Sequence, residues 1–156
     1  MSASRPTHLI APDEVDAWLA DSVVRVVTYH RTTFFAARSI LERGVDITRS
    51  RIGTYGQGFY TSTATPAEEF GEITMTVAVR LRRPLVGSQE QIAAQVDDLV
   101  IERYGNLRPI TPPVAAAVRR RFIRLGYDGL VIHDVDGEGT DYIVALFGAS
   151  VKVIQS

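Results

Sequence analysis

Three polar side chains stand at the ends of strand-like runs, where chemistry is readily placed: His30, Tyr60 and Asp141. His30 closes the β-branched run from Val23. Tyr60 follows two glycines in Gly56-Gln57-Gly58-Phe59-Tyr60-Thr61-Ser62-Thr63, and Asp141 opens the apolar run that ends at Leu146. The glycines permit backbone conformations that other residues avoid and let a second surface approach closely, while Phe-Tyr-Thr favours a strand. Thr65 suits a helix N-cap, Pro66 the first helical position, and Glu68 and Glu69 the first turn, so a short helix carrying Phe70 is expected. Tyr60 and Phe70 on neighbouring elements can then close on a flat ligand. The same residues also suit a hairpin entry with core aromatics and a strand end that meets water, and residue type alone does not choose between these.

The surrounding elements must position these groups. Residues 1–11 read as a poorly ordered lead-in, followed by a short helix that buries Val15, Trp18 and Leu19. The strand Val23 to His30 leads into a helix with Phe34, Ala37, Ile40 and Leu41 at helical spacing, stopped by Gly44. Residues 45–55, with Arg49 and Arg51, read as a loop. Ile73, Met75, Val77, Val79 and Leu81 alternate along a half-buried strand that Pro84 is expected to end. Ser88 with Gln91 forms a capping-box pattern for a helix to about Tyr104, with Ile92, Val96, Leu99 and Val100 inward. Pro112-Pro113 opens a second helix to Leu125, and its Arg119-Arg120-Arg121 reads as a solvated face. Strands at Gly129 to His133, Asp141 to Leu146 and Val151 to Ile154 close the chain, the first two joined by an acidic, glycine-bearing loop.

A length of 156 residues with 46% hydrophobic content fits one domain with a single core. The formal charge of −1 does not point to a nucleic-acid backbone or an acidic membrane as the obligatory partner, and a small ligand fits better. The absence of cysteine excludes disulfides, thiolate zinc sites and cysteine nucleophiles. His8, His30 and His133 are too scattered to form a metal site by spacing. No apolar run reaches the roughly 18 residues of a membrane span, and the N-terminus lacks the apolar region of a signal peptide. The expectation is a soluble protein, cytoplasmic or delivered to the cytoplasm of a target cell.

In order and spacing these pieces resemble the ADP-ribosyltransferase family, in its diphtheria-toxin and poly(ADP-ribose)-polymerase branch, which is named for a His-Tyr-Glu triad. The resemblance runs from about Val24 to Ile154. Tyr29-His30-Arg31-Thr32 is similar to the family's Tyr-or-Phe-His-Gly-Ser/Thr, with Arg31 where glycine is usual. Gly56-Gln57-Gly58-Phe59-Tyr60 is similar to its glycine-x-glycine-aliphatic-Tyr segment, with Phe70 as the second aromatic. Asp141-Tyr142-Ile143-Val144 and Val151-Lys152-Val153-Ile154 resemble its closing strands, with Asp141 in place of glutamate. The segment Gly126 to Ile132 resembles the penultimate strand of bacterial and phage-encoded members.

The resemblance implies an α+β fold with two facing antiparallel sheets forming a split core, helices around it, and NAD as co-substrate in the cleft. It implies mono-ADP-ribosyl transfer to a macromolecule, protein rather than nucleic acid, by a monomeric bacterial toxin or phage-associated effector, with an antidote protein as a candidate partner. His30, Tyr60 and Asp141 become the catalytic set, with Tyr29, Arg31, Thr32, Gly58, Ser62 and Phe70 around the NAD. In this chemistry the nicotinamide–ribose bond breaks with positive charge developing at the anomeric carbon, which a carboxylate beside the adjacent hydroxyl stabilises. Simple NAD hydrolysis, or a non-catalytic module that binds NAD, ADP-ribose or a protein, suits the same scaffold. Arg31 and Ser62 invite the family's Arg-Ser-Glu branch, but Gly139-Thr140-Asp141 stands where its Glu-x-Glu or Gln-x-Glu belongs. The tRNA 2′-phosphotransferases share the Tyr-His start, whereas only Arg31, Arg49 and Arg51 offer themselves as phosphate ligands.

Overall fold

The protein is described by a computed structural model, in which residues 5–50 and 52–155 are placed. Among these residues ten strands and four α-helices follow in the order β1 Leu9–Ile10, α1 Val15–Trp18, β2 Thr28–Thr32, α2 Phe34–Arg43, β3 Ile52–Gly53, β4 Gly56–Gln57, β5 Phe59–Ser62, β6 Ile73–Val79, β7 Pro84–Ser88, α3 Gln89–Tyr104, α4 Pro112–Arg124, β8 Gly129–His133, β9 Tyr142–Ala145 and β10 Val151–Ile154. Eight strands form one mixed, mostly antiparallel sheet in the order β1-β10-β6-β2-β5-β9-β8-β7, and β3 pairs with β4 in a separate hairpin. The parallel pairs, β1 with β10 and β7 with β8, lie at the two edges.

Instead of the two facing sheets expected, there is one hydrogen-bonded sheet, but it narrows at its middle. Strand β2 pairs with β6 through five residues and β5 with β9 through four, whereas β2 and β5 meet only at Tyr29 and Ser62. The sheet is therefore two four-stranded halves joined at one point.

Burial follows the strand period. Met75, Val77 and Val79 on β6, with Leu81 beyond it, join Phe59, Val131, Ile143 and Val151 in one core, as the alternation of apolar residues requires. A second core lies under α3 and α4, where Ile92, Val96, Val100, Val118 and Phe122 meet Leu130, Ile132 and Val144 from the opposite side of β8 and β9. The small residue Ala78 packs with Val15 and Leu19 beside α1. Helix α3 begins with the expected capping box: the Ser88 hydroxyl accepts from the Gln91 N–H at 3.2 Å, and the Gln91 side chain accepts from the Ser88 N–H at 2.9 Å. It ends at Gly105, whose φ of 83° suits glycine.

Several segments depart from their sequence signals because a strand needs a partner. The strand expected from Val23 begins only at Thr28, and Val23 and Val26 are exposed. Ser22 holds that approach instead, its hydroxyl accepting from the Leu81 N–H at 3.0 Å. Strand β6 ends at Val79, before Pro84 as expected, but Pro84 itself opens β7, an edge strand whose first residue can lack a donor. Within the expected lead-in, Leu9–Ile10 is tied to β10, while residues 1–4 lie outside the described residues. The helix expected after Pro66 is one 3-10 turn, Glu68–Phe70, and the expected loop of residues 45–55 holds a 3-10 turn and β3. Phe34 faces solvent, while Ala37 supplies the buried contact of α2.

Phe122 is fully buried between α4 and the sheet and meets Tyr127 edge-on with ring centroids 6.2 Å apart. Phe122→Ala should lower stability by about 3–5 kcal/mol, the cost of emptying such a site. Urea unfolding followed by circular dichroism measures it, and a loss under 1 kcal/mol would contradict this packing.

Candidate functional site

Beyond the Tyr29–Ser62 pair the backbones of β2 and β5 part, and a side chain continues the connection. His30 Nδ1 lies 2.7 Å from the Tyr60 carbonyl oxygen, and its ring lies against Phe59 with centroids 4.1 Å apart. A carbonyl only accepts, so Nδ1 carries the proton and donates. Histidine therefore fixes the width of the gap at one end of β5.

Asp141 is fixed at the other end. Just past β5, Thr63 grips the backbone of Asp141: its N–H donates to the Asp141 carbonyl at 3.0 Å, and its hydroxyl accepts from the Asp141 N–H at 2.9 Å. Both carboxylate oxygens are engaged. Oδ1 accepts from the Asp134 N–H at 3.0 Å, and Oδ2 lies 3.3 Å from His133 Nδ1. The loop of residues 134–140 is itself braced, since Asp134 accepts from the Gly139 N–H and Asp136 from the N–H groups of Glu138 and Thr140. Hydrogen bonding by Thr140 and by the Glu138 backbone holds the Asp136 carboxyl below the ordinary carboxylate value.

Strand β5 is the spacer between these ends. Tyr60 and Thr63 are three residues apart, so the anchors of His30 and Asp141 are separated by about 10 Å of extended chain. Met75 pairs with His30 and lies in the core that holds Phe59 and Ile143, and Asp141 is two residues from Ile143 on β9; His30 and Asp141 thus share a sheet face. A molecule that both act on has to extend along β5.

Tyr60 leaves β5 on the face opposite Phe59 and packs half-buried beside the second core. Its hydroxyl donates to the Gly56 carbonyl at 2.7 Å and accepts from the Tyr55 N–H at 3.1 Å. The β3–β4 hairpin lies so close that a Cβ on Gly53 would sit 2.4 Å from the Tyr60 ring. The ring against His30 is consequently Phe59, and the expected sandwich of Tyr60 with Phe70 is not among the ring contacts of the described residues.

The remaining expected residues are held as follows. Tyr29 makes the single β2–β5 pair. The Arg31 side chain donates to the carbonyls of Gly71 at 2.6 Å and Pro66 at 3.3 Å, fastening the turn that carries half-exposed Phe70 to the end of β2. Gly71, at φ 133°, approaches Thr32 so closely that a Cβ would sit 2.3 Å from its backbone. Gly58 faces Val144, where a Cβ would lie 2.6 Å from the valine methyl. Ser62 is buried and donates to the Ala64 carbonyl at 2.6 Å. Arg49 pairs with Asp46, and Arg51 lies outside the described residues.

Sequence reading did not single out His133, the side-chain partner of Asp141, or Thr63, its backbone clamp. The signal for His133 was present: Ile132 pairs with Tyr142 across the hairpin, so the next residues outward, His133 and Asp141, face one another.

No family model and no curated protein matches the chain. Among solved structures, a crystal structure of an anti-CRISPR protein aligns with 83% of this chain and 95% of that chain, at 17% identity and a TM-score of 0.38.

Burial pushes the Tyr60 phenol well above its ordinary value, only partly opposed by the Tyr55 N–H. The folded form therefore keeps a proton that the unfolded chain loses above about pH 10. Stability from this group is whole below that pH and falls as pH rises toward the higher folded value. Tyr60→Phe should make the alkaline decline of the urea midpoint shallower, with a residual slope from Tyr55, which burial also raises. At neutral pH the same change should cost about 1–3 kcal/mol, because two hairpin groups lose their partner. An unchanged alkaline slope would contradict the assignment.

Proposed function

We propose that the chain cleaves the nicotinamide–ribose bond of NAD and transfers ADP-ribose to a macromolecular target, as the resemblance of its motifs to the ADP-ribosyltransferase family implies. The observation that carries this reading is the placement of His30 and Asp141 on one face, about 10 Å apart along β5, at the point where the sheet splits. The resemblance implies a split core of two facing sheets; the structure has one sheet, and the narrow junction between β2 and β5 is the cleft in this reading.

In this reading Asp141 stabilises the positive charge that develops at the anomeric carbon, and His30 orients the distant part of NAD. Because Asp134 and His133 already engage the Asp141 carboxylate, little reorganisation accompanies charge development, which is the condition for strong electrostatic stabilisation. Arg31 in place of the family's glycine is compatible with this role: its side chain is turned away to Gly71 and Pro66, and backbone atoms remain to meet the nicotinamide amide. Half-exposed Phe70 is the proposed stacking partner of the nicotinamide ring; Tyr60, expected to share that role, lies on the opposite face of β5 with its hydroxyl bonded to the β3–β4 hairpin. Hydrolysis of NAD without an acceptor, and binding without chemistry, are the competing readings on the same site.

Incubation with NAD labelled in the adenylate half separates the three. Label on a macromolecule in lysate supports transfer, free nicotinamide without labelled target supports hydrolysis, and binding with neither supports a non-catalytic module. For either enzymatic reading, Asp141→Asn should lower turnover at least about a hundredfold while NAD affinity changes little, since the charge matters mainly in the transition state. Wild-type turnover in a folded Asp141→Asn protein would remove Asp141 from the chemistry.

A further inference from the structure

The groove between α3 and α4 lies away from the β2–β5 gap and is lined by like charges. It has a volume of about 290 Å³ and presents Arg103 from α3 with Arg120, Arg121 and Arg124 from α4. One carboxylate answers them: Glu102 lies 3.2 Å from Arg121. Arg103, Arg120 and Arg124 are exposed, and none has an ion-pair partner among the described residues. Arg121 Nε is buried with no hydrogen-bond acceptor among those residues. Tyr104 lines the same groove, with the Arg108 guanidinium 4.5 Å and that of Arg103 5.9 Å from its ring centre.

The sequence reading of Arg119-Arg120-Arg121 as a solvated face holds only for Arg120. Arg119 donates to the Leu146 carbonyl at 2.9 and 2.7 Å, and Arg121 turns to Glu102. Partial burial, and after it the charge of Arg120, lower the pKa of Arg119, so the repulsion on this helix is felt at its half-buried neighbour. Arg120 and Arg124 are one helical turn apart and project along the same wall, facing Arg103 across the groove.

We infer that this groove binds the phosphodiester backbone of a single-stranded nucleic acid, with Tyr104 as a stacking platform for a base. Guanidinium forks match phosphate oxygens in pairs, and an anionic chain relieves the repulsion among the three arginines. A positive groove combined with an aromatic wall is the arrangement that holds single strands without sequence preference. A duplex is instead read by a convex helix or ribbon that enters its groove, and this surface is concave. The inference is independent of the NAD site, since none of its residues belongs to that site.

Fluorescence anisotropy of short labelled oligo-uridine, with the whole chain at increasing salt, tests it. Three arginine–phosphate contacts predict that log K falls against log salt with a slope of roughly −2. The double variant Arg120→Ser, Arg124→Ser should bind at least about tenfold more weakly at low salt and lose roughly 1.4 of that slope. Tyr104→Ala should weaken binding at least about fivefold with the slope unchanged, as loss of one stacked base would. Arg43→Ser, on α2, should bind as the wild type does. Circular dichroism confirms that each variant is folded. Absence of binding at low salt, equal binding by the double variant, or oligoglutamate binding as tightly as oligo-uridine would each overturn the assignment.

Discussion

The hydrogen bond from His30 to the Tyr60 carbonyl sits where the sheet is weakest, and the geometry around it follows from that position. Two four-stranded halves share only the Tyr29–Ser62 backbone pair. Without a second tie the halves could hinge about that point, and the spacing between β2 and β5 would be free to vary. The imidazole, seated on Phe59 and bonded to Tyr60, supplies that tie with a side chain instead of a ladder bond. A ladder bond would have closed the gap. A histidine leaves it open and places an imidazole ring on its border.

Close backbone approaches keep the same region rigid. Gly58 lets β5 come against Val144, Gly53 lets the β3–β4 hairpin lie on the Tyr60 ring, and Gly71 brings the Phe70 turn onto Thr32. The hydroxyl of Tyr60 then stitches the hairpin shut. A buried phenol with both a donor and an acceptor partner is a structural anchor, and its one donor is spent on the Gly56 carbonyl before any ligand arrives.

Electrostatics divide the molecule into two unlike regions. Around Asp141 the carboxylates are satisfied by backbone N–H groups and by His133, giving a negative, well-ordered corner. Across the second core, α3 and α4 gather arginines that the local carboxylates do not match. The near-zero formal charge of the chain conceals this separation, because opposite patches cancel in a sum.

The elements that the sequence determined by itself are those specified by neighbouring residues. The capping box of Ser88 and Gln91, the proline start of α4 and the alternation from Ile73 to Leu81 involve groups within a few positions of one another, and each appears where it was read. The hairpin between β8 and β9 belongs with them, and with it the location of Asp141 beside a strand end. Tertiary structure decided whatever required a distant partner. Val23 to Val27 have strand propensity but no neighbouring strand, and Pro84 opens a strand because β8, some forty-five positions later, lies alongside. The side of β5 on which His30 settles was likewise a matter of sheet register, which gave it Phe59 and sent Tyr60 to the opposite core. Propensity acts along the chain, whereas pairing and the choice of face are set between segments that only the folded sheet brings together.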